Sequence, residues 1–137
     1  MKANTIEELN KITEAVIGSA IEVHRNLGPG LLESIYESAL CYEFDEKCVK
    51  YARQLPVPII YKGHELGVYR LDLLVEDEII VEIKAVDRMD PVFEAQLLSY
   101  LKLTAKPKGL LINFNCENIK EQLVSLVTDE YAKLPKL

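Results

Sequence analysis

An acidic residue and a lysine lie two positions apart inside an otherwise apolar stretch near the middle of the chain. The stretch covers residues 79–86, reads IIVEIKAV, and carries Glu82 and Lys84. Side chains alternate between the two faces of a β-strand, so Glu82 and Lys84 are expected to share a face with Ile80. Asp72 lies on the preceding predicted strand. Two carboxylates and a lysine in apolar surroundings suit a divalent cation, because Mg²⁺ is commonly held by one or two carboxylates.

The turn between these two strands decides whether the two acids meet. A three-residue turn with Asp77 at its apex makes residues at equal distances on either side of Asp77 face each other. Directly opposed residues have Cβ atoms about 4.5–5.5 Å apart, whereas a two-residue turn would put the acids on opposite faces. The three-residue turn predicts these pairs: Leu74 with Ile80, Asp72 with Glu82, and Arg70 with Lys84.

A solvated face of an edge strand is the ordinary explanation for charged residues in a strand, since most charged side chains are exposed. The neighbouring Leu71, Leu74 and Ile80 are apolar and are expected to be buried, which favours a site. A bound Mg²⁺ could activate water and stabilise a leaving oxyanion, and a lysine beside it could orient the water or offset phosphate charge.

The elements that position these residues follow from hydrophobic periodicity and from turn residues. Helices are predicted over residues 5–27, 31–48 and 91–104, with Thr5 as an N-cap and Pro91 in a first turn. Strands are predicted over 50–61, 67–75, 79–85 and 109–114, with a turn in KGHELG; 117–134 fits a strand or a helix equally well. In the second helix Leu32, Ile35, Leu40 and Phe44 are expected to point inward, and in the second strand Leu71, Leu73 and Val75 are expected to share one face.

This order of elements predicts an α/β fold in which helices pack on a mixed sheet. The first three strands are expected to form an antiparallel meander, and the strand after the third helix is expected to pair in parallel. Pro56 and Pro58 indicate that the first strand lies at an edge of the sheet.

Length and composition fit a single domain over residues 1–137, with 49% apolar residues to build a core. No apolar stretch is long enough to span a membrane, and the first residues lack the apolar core of a signal peptide, so a cytoplasmic protein with reduced cysteines is expected. The net charge of −6 disfavours a nonspecific phosphate-binding surface, although bound cations would change the local charge of a nuclease site.

Asp72, followed by Glu82-Ile83-Lys84, resembles the D…(D/E)-x-K core of the PD-(D/E)xK nuclease superfamily. The segment GLLESIY resembles the G-x-x-E-x-x-Y signature of the GxxExxY family, a branch of that superfamily, through Gly30, Glu33 and Tyr36. The segment QLLSYL adds the Q-x-x-x-Y pattern of RecB-like and phage-exonuclease-like members, through Gln96 and Tyr100. The similarity runs from about residue 12 to 127. Two departures are Leu71, where the superfamily motif has Pro, and Phe93, where a His is expected.

The resemblance implies a restriction-endonuclease-like fold and, by analogy, Mg²⁺- or Mn²⁺-dependent cleavage of phosphodiester bonds that leaves a 5′-phosphate. It implies that Asp72, Glu82, Glu33 and the Ile83 carbonyl hold the metal and that Lys84 positions the water. The substrate would be contacted by Gln96, Tyr100, Tyr36 and Arg70.

Each of the flanking residues also has a structural alternative. Glu33 could only complement the dipole of its helix, and Tyr36 could be a core aromatic residue with a tethered hydroxyl. Gln96 and Tyr100 lie one turn apart and could form a helix–sheet contact, while Arg70 could simply be on the surface.

Two functions of different classes therefore follow. The first is a metal-dependent deoxyribonuclease, and the second is a non-catalytic nuclease-like module that binds nucleic acid or a partner protein. The expected partner is nucleic acid, DNA rather than RNA, with a homodimer as a further option and no membrane. The intact D…E-x-K set favours the nuclease, because a non-catalytic copy does not need carboxylates that repel each other.

Overall fold

The structure is a computed structural model that describes residues 5–136. In chain order the helices are α1 (Ile6–Leu27), α2 (Glu33–Glu46), α3 (Pro91–Thr104) and α4 (Asp129–Ala132), with a 3₁₀ helix over Ile119–Gln122. The strands are β1 (Tyr51–Tyr61), β2 (His64–Val75), β3 (Ile79–Lys84), β4 (Lys108–Asn113) and β5 (Leu123–Val127).

The five strands form one mixed sheet in the order β1-β2-β3-β4-β5. The first three strands are an antiparallel meander, and β4 pairs in parallel with β3 after α3 has crossed over. Strand β1, which contains Pro56 and Pro58, lies at one edge, where a missing backbone N–H is tolerated. The predicted meander, edge strand and parallel pair are confirmed, and the fold is the expected α/β, restriction-endonuclease-like sheet flanked by helices.

Helices cover both faces of the sheet and divide the core into two clusters. On one face α1 and α2 pack against side chains that include Val81 and Ile83. On the other face Leu97 and Leu101 of α3 pack against Ile80 and its neighbours. Successive residues of β3 therefore point into different clusters, and Glu82 and Lys84 belong to the α3 face with Ile80.

Helix α3 lies close to the sheet because Gly109 of β4 has no side chain. A Cβ atom at this position would be 2.9 Å from Leu97 Cδ1. The close approach fixes the height of α3 above β3 and β4, and with it the position of the α3 residues that border the predicted site.

Two predictions about the elements are wrong in detail, and one open alternative is decided. The turn in KGHELG is shorter than predicted, because β2 already begins at His64. Helix α2 begins only at Glu33, so Leu32 is its N-cap residue and is 72% exposed, and Ile35 is 47% exposed. Leu40 and Phe44 are buried as predicted, together with Tyr36, Glu37 and Cys41. In the tail, where the sequence fits a strand or a helix equally well, the strand β5 forms, preceded by the 3₁₀ helix and followed by α4.

The predicted N-cap Thr5 and the Pro91 start of α3 are confirmed; the Thr5 hydroxyl accepts a hydrogen bond from the Glu8 amide. The three cysteines carry free thiols, as expected. Within residues 5–136, no helix has the length and apolar character that crossing a membrane requires.

Candidate active site

The turn between β2 and β3 has the predicted three residues. Glu76 and Asp77 adopt positive φ angles of 51° and 60°, and the Glu78 amide donates to the Val75 carbonyl. The ladder that follows pairs Val75 with Ile79, Leu74 with Ile80 and Leu73 with Val81. The predicted register is therefore confirmed for this part of the hairpin.

Beyond Leu73 and Val81 the backbone ladder between β2 and β3 ends, and two carboxylates take over its hydrogen bonds. The Asp72 amide donates to Glu82 Oε1 at 3.3 Å, and the Ile83 amide donates to Asp72 Oδ2 at 2.8 Å. Each acid thus caps a backbone N–H of the opposite strand that would otherwise lack a partner. The structure brings Asp72 and Glu82 together at the point where the two strands separate.

The strict alternation assumed for β2 is wrong at this point. Leu71 packs in the cluster on the α3 face, together with Leu74, and not with Leu73. The change occurs beside Gln54 of β1, which has a positive φ of 53° and lies where the β1–β2 ladder skips a pair between Arg53–Leu73 and Leu55–Leu71. The register is the same on both sides of Gln54, so no residue is inserted, and the change of face accompanies the irregular backbone at this position.

The prediction that Arg70 faces Lys84 is also wrong. The β2–β3 ladder does not extend to Arg70. Its neighbours Tyr69 and Leu71 face α3, so alternation directs the exposed Arg70 to the opposite face from Lys84.

The electrostatics of the pair are dominated by Glu82, which is 8% exposed. Burial, and secondly the charge of Asp72, raise the pKa of Glu82 from 4.5 to about 8, while the nearby Lys84 ammonium lowers it. Removal of a carboxylate from water and a like charge beside it both disfavour the ionised form. Glu82 therefore keeps its proton at neutral pH in the metal-free protein.

Helix α3 contributes one face to the site. Lys84 Nζ lies 4.4 Å from the centre of the Phe93 ring, a cation–π contact that keeps the ammonium on the α3 side. Tyr100 packs edge-on against Tyr69 with ring centres 5.1 Å apart. Burial, and next the charge of Glu82, raise the pKa of Tyr100, so its hydroxyl keeps its proton. Gln96 is exposed between Phe93 and Tyr100, on the same helix face.

Two of the predicted site residues on or near α2 do not join this cluster. Glu33 is exposed in the first turn, and within residues 5–136 no hydrogen bond or ion pair connects it to Asp72 or Glu82. Tyr36 is fully buried and stacks on Phe114 with ring centres 4.7 Å apart. Its hydroxyl donates to the Gly28 carbonyl and accepts from the Leu31 amide. Tyr36 thus takes the position of a core aromatic residue with a tethered hydroxyl, which fixes the 28–31 turn.

Two residues that the sequence interpretation did not select are connected to the acidic pair. Gln54 Nε2 lies 2.8 Å from Glu37 Oε1 and 3.4 Å from Asp72 Oδ1. Glu37 is 6% exposed and also accepts from Arg53 Nε at 2.6 Å. The polar face of α2 was a signal for Glu37, one turn after Glu33, whereas no local pattern marks Gln54.

The donor set fits a hard divalent cation. Asp72 and Glu82 supply carboxylate oxygens from neighbouring strands, and Mg²⁺ is usually bound by one or two carboxylates together with water and phosphate oxygens. The raised pKa of Glu82 shows that the site disfavours the ionised carboxylate, and the positive charge of such a cation would favour it. The larger predicted group that includes Glu33 is not assembled, since among the described residues no three His, Cys, Asp or Glu side chains are placed to hold a metal together.

Comparison with known proteins agrees with this arrangement. The model of a family described as the PD-(D/E)XK nuclease superfamily matches residues 10–126, which include both acids, Lys84 and the α3 face. Neither the curated proteins nor the solved structures give a significant match. The matched region covers all five strands, with β5 up to Leu126, and thus the whole sheet that carries the acidic pair. The chain therefore belongs to the PD-(D/E)XK nuclease superfamily.

Proposed function

We propose that this protein is a divalent-metal-dependent nuclease that hydrolyses phosphodiester bonds in DNA, as a member of the GxxExxY branch of the superfamily. Membership of the superfamily suggests nuclease activity. The single observation that carries the finer proposal is the buried Glu82 next to the half-buried Asp72 and beside Lys84. A buried acid next to a second carboxylate is costly in a purely structural strand, and a carboxyl group with a strongly perturbed pKa is typical of functional sites.

In this proposal Asp72, Glu82 and the main-chain carbonyl of Ile83 hold Mg²⁺ or Mn²⁺. The cation, when bound, would supply positive charge for the phosphate oxygens and lower the pKa of water. Asp72 is suited to this role because its carboxylate is oriented by the Ile83 amide. Burial and the charge of Asp72 raise the pKa of Glu82, and a bound cation would offset this effect. Glu82 would then lose its proton and act as a carboxylate ligand.

Lys84 provides the positive side chain next to this pair. Its ammonium is held over Phe93, so it reaches the α3 side of the strand where a phosphate would approach Glu82. There it would hold the attacking water in line and offset the negative charge that develops on the phosphate oxygens. Phe93 replaces the His expected in the family, so this helix offers no additional imidazole base at that position.

Two residues of α3 are proposed to contact the substrate. The exposed Gln96 amide can donate to a phosphate oxygen, and the protonated Tyr100 hydroxyl, whose pKa the charge of Glu82 helps to raise, can donate in the same way. Arg70 lies on the other face and is proposed only as an outer contact to the nucleic-acid backbone.

Cleavage assays with the Lys84→Ala variant test this proposal. Wild-type protein is incubated with Mn²⁺ or Mg²⁺ and single-stranded DNA, double-stranded DNA or RNA of the same sequence. We expect DNA cleavage that stops in EDTA and falls about 10²-fold or more in Lys84→Ala, the scale of losing one preorganised electrostatic donor. Lys84→Arg should rescue poorly, because a planar guanidinium does not replace a compact ammonium.

Lys11→Ala is the matched control, because Lys11 is an exposed lysine on α1, on the other face of the sheet, and its loss changes the net charge equally. Equal rates in wild type and Lys84→Ala would contradict the role of Lys84. No cleavage of any substrate by wild type, together with salt-sensitive binding that weakens in Lys84→Ala, would instead support a non-catalytic module.

A further inference from the structure

We propose that Gln54 is a positioning residue that fixes the carboxylate of Asp72 and anchors it to α2 through Glu37. This inference rests on the proposed function, in which Asp72 is a metal ligand. It concerns a residue outside the D…E-x-K set, on the edge strand β1, whose side chain reaches the site across the gap where the β1–β2 ladder is interrupted.

The contacts of Gln54 form a chain from α2 to the acidic pair. Its amide nitrogen donates to Glu37 Oε1 at 2.8 Å and lies 3.4 Å from Asp72 Oδ1. The other oxygen of Asp72 accepts from the Ile83 amide. The Asp72 carboxylate is thus contacted at both oxygens, which fixes the plane of the group and not only its position.

The chemistry of the contact suits orientation rather than neutralisation. An amide is neutral, and the contact to Asp72 is longer than an ordinary hydrogen bond, so the contact adds no positive charge that would compete with a cation. The charge of Glu37 is already matched by Arg53, which donates to Oε2 at 2.6 Å. The short bond to Glu37 therefore holds the amide in place without adding uncompensated charge next to Asp72.

The backbone of Gln54 gives a second, independent observation. Its φ of 53° lies in the left-handed region, which is unfavourable for a residue with a long side chain and is more readily adopted by Gly or Asn. Strain of this kind persists where the surrounding structure requires it and is concentrated at functional sites. Here it accompanies the break in alternation that places Asp72 in the gap between β2 and β3.

Two variants separate positioning from a general role in the strand. Gln54→Gly removes both the amide and the backbone strain, and Gln54→Asn keeps an amide that tolerates a positive φ but is one methylene too short to reach both carboxylates. Ala105→Gly is the control for strain relief, because Ala105 has the same φ of 53° at the C-terminus of α3.

The first readout is hydrogen exchange of the Ile83 amide in metal-free protein, which needs no catalytic activity. We expect about 10-fold faster exchange at Ile83 in both Gln54 variants, because a less restrained Asp72 carboxylate protects this amide less. The amides of Leu74 and Ile112 should keep their wild-type rates, and Ala105→Gly should change none of the three. Unchanged protection of Ile83 in both variants, or equal acceleration at all three amides, would overturn the proposal.

The second readout is how the kinetic effect of the Gln54 variants divides between kcat and KM. We expect kcat for DNA cleavage to fall about 10-fold in both variants while KM changes less than about threefold, because Asp72 is misoriented but the substrate-binding surface is retained. If wild type does not cleave and Ile83 still responds to the Gln54 variants, the proposed nuclease function fails while the positioning role of Gln54 is supported. Wild-type kcat in both variants would overturn a positioning role in catalysis.

Discussion

Two buried polar clusters lie near the carboxyl ends of the neighbouring parallel strands β3 and β4, and they differ in charge. On β4 the cluster is centred on Asn113, which is 1% exposed and pairs in register with Lys84. On β3 it is centred on Glu82, which is 8% exposed. Both are almost removed from water and both lie in the same sheet, so burial does not distinguish them.

The Asn113 cluster is neutral and its hydrogen bonds are satisfied. The side-chain oxygen accepts from the amides of Val86 and Asn115 at 3.1 Å each. The side-chain nitrogen donates to the Val86 carbonyl at 3.0 Å and to Gln122 Oε1 at 3.3 Å. These contacts connect the end of β4 to the segment after β3 and to the 3₁₀ helix, which is a structural task.

The Glu82 cluster contains a carboxyl group whose ionised form its surroundings disfavour. Lys84 lowers the pKa of Glu82, but burial and Asp72 raise it to about 8. The comparison teaches that a buried polar residue of this fold is recognised as functional when its ionised form is strongly disfavoured, because a satisfied amide of the same depth needs no further ligand. Four substitutions test this distinction, from the largest expected effect to the smallest.

Asn113→Ala should lower the free energy of unfolding by about 3–4 kcal/mol, since it removes four hydrogen bonds and leaves buried partners unsatisfied. Chemical denaturation in EDTA measures this loss. Asn115→Ala is the control, because its side-chain bond to Asp87 is exposed, and it should cost less than about 1 kcal/mol. If Asn113→Ala instead removes DNA cleavage at a temperature where the protein is folded, the distinction between the two clusters breaks down.

Glu82→Gln should stabilise the metal-free protein by about 3 kcal/mol at pH 7, with a gain that disappears towards pH 4.5. The unfolded state ionises Glu82 near pH 4.5, while the folded state keeps the proton up to about pH 8. Between these values the unfolded chain binds fewer protons, so wild-type stability falls as the pH rises, and Gln removes this cost. The check is the difference between wild-type and variant unfolding free energies at several pH values in EDTA. A difference that is constant with pH would show that Glu82 does not titrate as described.

Mn²⁺ should raise the melting temperature of wild type, and Asp72→Asn should abolish the shift. A tenfold excess over Kd corresponds to about 1.4 kcal/mol of stabilisation, because the ion binds only the folded state. Asp72→Asn keeps an oxygen that can accept from the Ile83 amide and reduces repulsion, so the metal-free variant should be as stable as wild type or more stable. Thermal unfolding with and without Mn²⁺ provides the measurement. A shift that persists in both Asp72→Asn and Glu82→Gln would exclude this pair as the metal site.

Local sequence patterns predicted the part of the site that depends on one hairpin. The acidic turn and the apolar alternation of 73–75 and 79–81 fix the register, and the register alone brings Asp72 and Glu82 together. Local sequence patterns could not predict where the β2–β3 ladder ends. The sheet faces of Leu71 and Arg70 depend on Gln54, a residue of another strand with an irregular backbone.

The α2 side of the site was less predictable for a different reason. Glu33 and Glu37 lie one turn apart on the same helix face, and periodicity does not tell which of them is covered by the sheet. The answer depends on where α2 begins and on how it packs on β1, where Arg53 and Gln54 donate hydrogen bonds to Glu37. Tertiary contacts of this kind leave no local pattern in the sequence.

The smallest expected effect concerns Glu33, which the family resemblance assigns to the metal and which the structure leaves exposed. We expect Glu33→Gln to cost less than about 1 kcal/mol, the value of an acid near a helix N-terminus, and to leave the Mn²⁺ titration midpoint unchanged. Glu43→Gln on the same helix is the control for loss of one negative charge outside the first turn. Calorimetric titration of Mn²⁺ into both variants makes the comparison. The contradicting result would be a midpoint raised about 10-fold or more in Glu33→Gln alone, which is the scale of losing a group that supports a metal site. Glu33 would then be part of the site, and the acidic cluster would extend from β3 to the start of α2.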